Sequence, residues 1–317
     1  MGRKEDFINV MSGKMPEFVP LWELHFHLWA NLSKGEFVSG RLFDALSESK
    51  KHTAIKRDAQ IIVEIGERLG FGAVSIPDPP WDCIYTLPKE WRLELIRQIK
   101  KMNPDFCVLA SCGGVISMPS SSDDYLNFSY KLFDEPEEID CYCESIYQGF
   151  LIDSGNLLDA GIDGLYIAAD IADNRTPFLN REQLNRWYFP YLQKSVEHLK
   201  KMGLYAILHC DGNISTLLED IKESGIDAYQ AVDPVAGMDI LEVKRIFDGK
   251  VVVCGNFDCG LMLTGTTEEV YQNAADIVKK CKQDGAFVFG NSNAVDVRTP
   301  LDNYNAFLLA WRENGKY

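Results

Sequence analysis

The stretch Gly161-Ile162-Asp163-Gly164-Leu165-Tyr166-Ile167-Ala168-Ala169-Asp170 decides how the chain is read. A glycine ends a helix because it enters the left-handed conformation without a steric penalty. A near-continuous apolar run follows, as in a strand buried on both faces. A carboxylate stands just beyond the run. The same grammar recurs elsewhere. Gly70-Phe71-Gly72 leads into Ala73–Ile76, Gly225-Ile226-Asp227 into Ala228–Ala231, and Gly285 into Ala286–Phe289. The runs Phe18–Glu23, Phe106–Ala110, Tyr205–His209 and Val251–Cys254 bring the candidate strands to eight. Between them lie helical patterns over His52–Leu69, Glu138–Leu158 and Arg181–Lys201. Asn180 with Gln183, and Thr266 with Glu269, have N-cap spacing, and Thr299-Pro300 puts proline at a first helical position. Eight strand–helix units predict an α/β fold, a single (β/α)8 TIM barrel over residues 1–317. A doubly wound sheet is the weaker alternative, because no glycine-rich phosphate loop follows the first strand.

The 317 residues, 46% hydrophobic and 25% charged, suit one large α/β domain. Met1–Val10 is polar and helix-like and does not resemble a secretory signal. No apolar run approaches the roughly 20 residues that span a bilayer. The nine cysteines are scattered and lack any CxxC pair, so they read as reduced core thiols of a cytoplasmic protein. The 47 acidic against 32 basic residues give a net charge of −15. Such a surface repels nucleic acid and anionic membranes and weighs against a polyanionic substrate.

A barrel places its chemistry at the C-terminal ends of its strands, which turns the strand map into a site map. After the first strand, Trp22-Glu23-Leu24-His25-Phe26-His27 puts Glu23, His25 and His27 on one side if the extended conformation continues. Trp22, Phe26, Trp29 and Trp81 are candidates for an apolar wall around a substrate, or equally for core. After the second strand, Pro77-Asp78-Pro79-Pro80 is a stiff turn that can aim Asp78 at the mouth. Asp170 holds the equivalent place after the fourth strand. The fifth ends in His209-Cys210-Asp211-Gly212-Asn213. His209 and Asp211, two residues apart, suit a pair of metal ligands or an acid/base pair. Asn213, Asn256 and Asn291 are polar candidates to contact a substrate after strands five, seven and eight. No GxSxG elbow, P-loop or HExxH motif is present.

Taken in order, Asp170, Asn180–Tyr191, His209–Asn213, Gly255-Asn256-Phe257-Asp258, Gly265–Val270 and Thr299–Asn303 resemble the uroporphyrinogen decarboxylase superfamily. The resemblance covers nearly the whole chain. It implies a barrel enzyme, either a decarboxylase or a zinc-dependent methyltransferase that works with corrinoid proteins, and often a dimer. The decarboxylase branch uses an arginine-rich N-terminal segment of the form R-Q-A-G-R. Here Val19–His25 stands in that region, with Glu23 and no arginine. An octa-acidic substrate needs paired cations, so activity on uroporphyrinogen is not expected. The methyltransferase branch is the better match around His209. It binds zinc through H-x-C and a late cysteine, whose positions are held here by Asp211 and by a residue near Asn291. The resemblance therefore implies a harder zinc site of His209, Asp211 and Glu23, with Asp170 and Asp78 assisting. It also implies a small methylated donor, with an O-methyl compound such as a methoxylated aromatic as the candidate, and a separate corrinoid protein. A decarboxylase or other metal-free acid/base enzyme using Asp78 or Asp170 with His209, and a catalytically silent binding barrel, are the rival expectations.

Overall fold

The computed structural model describes residues 4–77, 87–119, 122–168 and 170–317. The strands are β1 (His25–Phe26), β2 (Val74–Ile76), β3 (Val108–Cys112), β4 (Gly164–Ala168), β5 (Tyr205–Cys210), β6 (Ala228–Ala231), β7 (Val252–Phe257), β8 (Phe287–Asn291) and β9 (Ala294–Val295). From β2 to β8 they form one parallel sheet in sequence order. Parallel neighbours need crossovers, and helices supply each of them, among them Lys89–Met102, Pro136–Ala160, Ile240–Phe247 and Thr267–Cys281. This is the α/β barrel expected from the glycine-led apolar runs.

The first stave differs from its expectation. Phe18–Glu23 forms no regular strand, yet Leu21 bridges both Phe71 and Phe289 in parallel. Gly72 N donates to Leu21 O at 2.7 Å, Trp22 N to Phe289 O at 2.9 Å, and Phe289 N to Pro20 O at 2.8 Å. The segment thus joins β8 back to the β2 side and closes the sheet. Pro20 explains the irregularity, because it has no N–H to extend the ladder. The true short strand comes later, where β1 pairs with β9.

Two apolar layers hold the barrel. Inside it, Trp22, Leu109, Tyr166, Ile207, Val252 and Val288 pack together with Phe7, Val10 and Met11 of helix Lys4–Met11. That helix plugs the N-terminal end, which leaves the opposite end for chemistry. Outside it, alternate strand residues such as Val108, Ile167, Leu208 and Phe289 meet the helices. Burying one such side chain stabilises the fold by about 1.5–3 kcal/mol. Gly161, at φ 104°, ends helix Pro136–Ala160 as its sequence position predicted.

One helix is not continuous. Within Arg181–Lys201 the residues Leu184–Tyr188 make a π turn before the helix resumes at Phe189. Pro190 lacks the N–H that an α-helical bond would use, and the wider turn accommodates this. The capping box of Asn180 and Gln183 starts the helix as expected. No described helix is long and apolar enough to cross a membrane.

Candidate active site

The site is built from the polar residues that end β4 to β8. Along β5, Ile207 faces the barrel interior, so His209, two residues on, faces it too, one layer nearer the mouth. On β6 the same step leads from Ala228 to Gln230. The two pair across the ladder, with His209 Nδ1 2.5 Å from Gln230 Oε1. Gln230 Nε2 donates to the carbonyls of Asn291 at 3.1 Å and Ser292 at 3.2 Å. Those two carbonyls fix the amide, because the flipped orientation would set oxygen against oxygen. Gln230 Oε1 must then accept, so Nδ1 of His209 carries a proton, and in the neutral imidazole Nε2 is the bare nitrogen.

His209 Nε2 points toward Asp170, whose Oδ1 is 3.9 Å away. That oxygen is shielded and has no hydrogen-bond partner. Burial pushes the Asp170 carboxyl above its usual range, and Asp211 pushes it further, while His209 pulls the other way. Asp211 Oδ2 accepts from Asn293 Nδ2 at 2.6 Å. His209 and Asp170 are therefore brought together, and Asp211 stands beside them. Together they can hold or pass a proton at the mouth.

Glu23 sits differently from its expectation. Its carboxylate accepts from Asn291 N at 2.9 Å, from Asn291 Nδ2 at 3.2 Å and from Tyr304 OH at 3.1 Å. Only 2% of it is exposed, and burial pushes its carboxyl up to about 7 against those bonds. The side alternation that grouped Glu23 with His25 and His27 needs a regular strand, and the stave at Pro20–Trp22 is not one. The His25 ring lies 6.2 Å from that of His27 and 6.4 Å from that of Tyr166.

The aromatic wall is core. Trp22 lies in the interior layer, 6.3 Å from Phe7 of the plug, and donates Nε1–H to Ser75 Oγ at 2.8 Å. Phe26 and Trp29 pack on each other and on Phe71 beneath the outer helices. Asn213 spends its amide within the loops, donating to Ala236 O and accepting from Ser215. Asn256 donates to Val232 O and keeps a buried Oδ1 without a partner, and Asn291 holds Glu23. Asp78 and Trp81 lie outside the described residues.

A zinc ion would need three or more donors about 2 Å from one point. Among the described residues no three His, Cys, Asp or Glu side chains are so arranged. Asn291 and Tyr304 occupy Glu23, and Asn293 occupies Asp211. The described side chains do not fit the three-ligand zinc site that the sequence suggested.

Gln230, which orients His209, carried no signal beyond being a lone amide in an apolar run. Tyr188 was also missed. Its hydroxyl is fully buried without a partner, and its pKa is raised by burial and by the nearby Cys210 and Asp170. The π turn that places it was not legible in residue spacing.

A barrel with its N-terminal end plugged and an oriented His–carboxylate pair at the other end is the layout of an enzyme. Residues 85–314 match the family model described as Uroporphyrinogen decarboxylase (URO-D). The chain belongs to the uroporphyrinogen decarboxylase family. A uroporphyrinogen decarboxylase of Anaeromyxobacter sp. (strain Fw109-5) is 25% identical over 256 residues, 77% of this chain and 69% of that one. A methylated-thiol–coenzyme M methyltransferase of Methanosarcina mazei is 31% identical over 115 residues, 36% of this chain and 29% of that one. A solved methyltransferase from Methanosarcina mazei superposes with a TM-score of 0.67 at 15% identity, covering 98% of both chains. At that identity the likeness speaks to the fold.

Proposed function

We propose that this barrel moves a methyl group from a small methylated substrate to a corrinoid carried by a separate protein. The observation that carries the reading is the His209–Asp170 pair, with Nε2 bare and Oδ1 buried without a donor. A methyl group leaves its heteroatom only if that atom accepts the electron pair, which a proton on the atom makes easier. The pair lies where it can hold that proton on the leaving atom, with Gln230 fixing the imidazole and Asp211 beside it. The corrinoid supplies the nucleophile. Likeness to the Methanosarcina methyltransferase sequence supports the reading.

Decarboxylation is the second reading, favoured by the relatives that carry that name. The mouth opposes it for a carboxylate-rich substrate. Asp170, Asp211, Asp233 and Asp258 follow four consecutive strands, and among the described residues none pairs with Lys or Arg. Like charges would meet there at several kcal/mol of cost.

The described donors make no zinc cage, so no step here runs through zinc. Metal analysis of protein purified without chelator, beside His209→Ala, tests this together with a screen of methyl donors. Methyl transfer by metal-free protein supports the proposal. Stoichiometric zinc that His209→Ala loses would overturn its metal-free form.

A further inference from the structure

We propose that the barrel mouth takes its methyl donor as a small methylammonium cation, held by Asp170, Asp211 and the bare Nε2 of His209. This inference rests on the methyl-transfer reading and names its substrate class. Of the four carboxylates that follow β4 to β7, two cap the backbone that follows them, and Asp170 accepts from the backbone N–H of Asp211. Asp258 caps helix Cys259–Thr264 through Gly260 N and Leu261 N, and Asp233 caps Val235 N. Asp170 Oδ1 stays without a donor, Asp211 accepts from Asn293 Nδ2, the two carboxylates feel each other's charge, and among the described residues the basic group against them is His209, at 3.9 Å from Asp170.

A second observation is independent of the carboxylates. His209 is only 7% exposed, and among the described residues its Nε2 makes no hydrogen bond and faces Asp170. Asn256, 6% exposed, likewise keeps an Oδ1 without a donor at the end of β7. Asp170 Oδ1, His209 Nε2 and Asn256 Oδ1 are thus acceptors, and the buried Tyr188 hydroxyl is a donor near Asp170. A neutral ether or thioether brings one more acceptor, and a carboxylate brings like charge. An ammonium brings both N–H donors and positive charge. One layer below, the Tyr166 ring lies 6.2 Å from Trp22 and 6.4 Å from His25.

The chemistry balances without a proton from the protein. The C–N bond breaks, nitrogen keeps the electron pair, and the amine leaves neutral with its own N–H. The methyl carbon bonds to the two-electron nucleophile of the partner's reduced corrinoid. Asp170 and His209 hold the N–H throughout.

The test is calorimetric titration at low salt with trimethylammonium chloride and, separately, with neutral tert-butyl methyl ether. Wild type is expected to bind the cation about tenfold or more tightly than the ether. Asp170→Asn and Asp211→Asn are each expected to weaken the cation by about tenfold with ether binding unchanged. Equal affinity for cation and ether, or a folded Asp170→Asn that binds the cation as wild type does, overturns the subsite. Should a variant fail to fold, the wild-type comparison decides alone. Cation binding without methyl transfer to added cob(I)alamin supports the subsite and sinks the methyl-transfer reading. Demethylation of the ether without cation binding does the reverse.

Discussion

Replacing Gln230 separates two roles that the structure gives it. It accepts from His209 Nδ1 at 2.5 Å and donates to Asn291 O and Ser292 O. Gln230→Leu leaves one buried N–H and two buried carbonyls short of a partner. Each such loss costs about 1–3 kcal/mol, and neighbours relax, so a total of about 3 kcal/mol is expected. Gln230→Glu keeps an oxygen for Nδ1–H but turns two donors into acceptors against carbonyls. It should lose comparable stability while preserving the tautomer. Urea melts measure the first effect. Nitrogen-15 spectra of the His209 ring measure the second: wild type and Gln230→Glu should show Nδ1 protonated, and Gln230→Leu a mixture. The reasoning fails if Gln230→Leu keeps both the wild-type stability and the wild-type ring pattern.

Glu23 carries a pH dependence. Its carboxyl is raised from 4.5 to about 7 in the folded state, so the fold binds a proton that the unfolded chain has released. Its contribution is complete below 4.5, falls as pH rises to about 7, and is gone above that. The shift corresponds to about 3 kcal/mol, and Glu23→Gln should flatten the fall in unfolding free energy between pH 5 and 8 by that order. Asp58, also raised to about 7, leaves a residual slope that Asp58→Asn removes. At Gly290 an added Cβ would lie 2.0 Å from the Trp22 carbonyl, so Gly290→Ala must push apart the closing stave and β8. A loss of about 3 kcal/mol or more by thermal melt is expected, and a neutral result would show that the stave yields freely. Trp22→Phe removes the bond to Ser75 Oγ and should cost about 1–2 kcal/mol without abolishing methyl transfer, consistent with a place in the core.

The barrel was legible because its strands are buried on both faces and most follow a glycine that ends a helix, a pattern that local physics writes into the residues. The first stave was half legible: Leu21 bridges both neighbours, but Pro20 breaks the ladder and with it the alternation used to orient Glu23. His209, Asp170 and Asp211 could be singled out in the sequence because strand ends are where a barrel concentrates its polar residues. Gln230 and Tyr188 were not, because their roles come from contacts across strands and from a π turn. The aromatic residues stayed open between wall and core in the sequence, since Trp22, Phe26 and Trp29 have the same composition whether they line a pocket or fill a core.

The most direct measurement follows the absorbance of reduced cob(I)alamin mixed with this protein and a panel of methylated donors. Methyl transfer predicts enzyme-dependent loss of the cob(I)alamin spectrum with one donor class, slowed about a hundredfold by His209→Ala and by Asp170→Asn. An unchanged spectrum across ammonium, ether and thioether donors, or full rates in both variants, would contradict it.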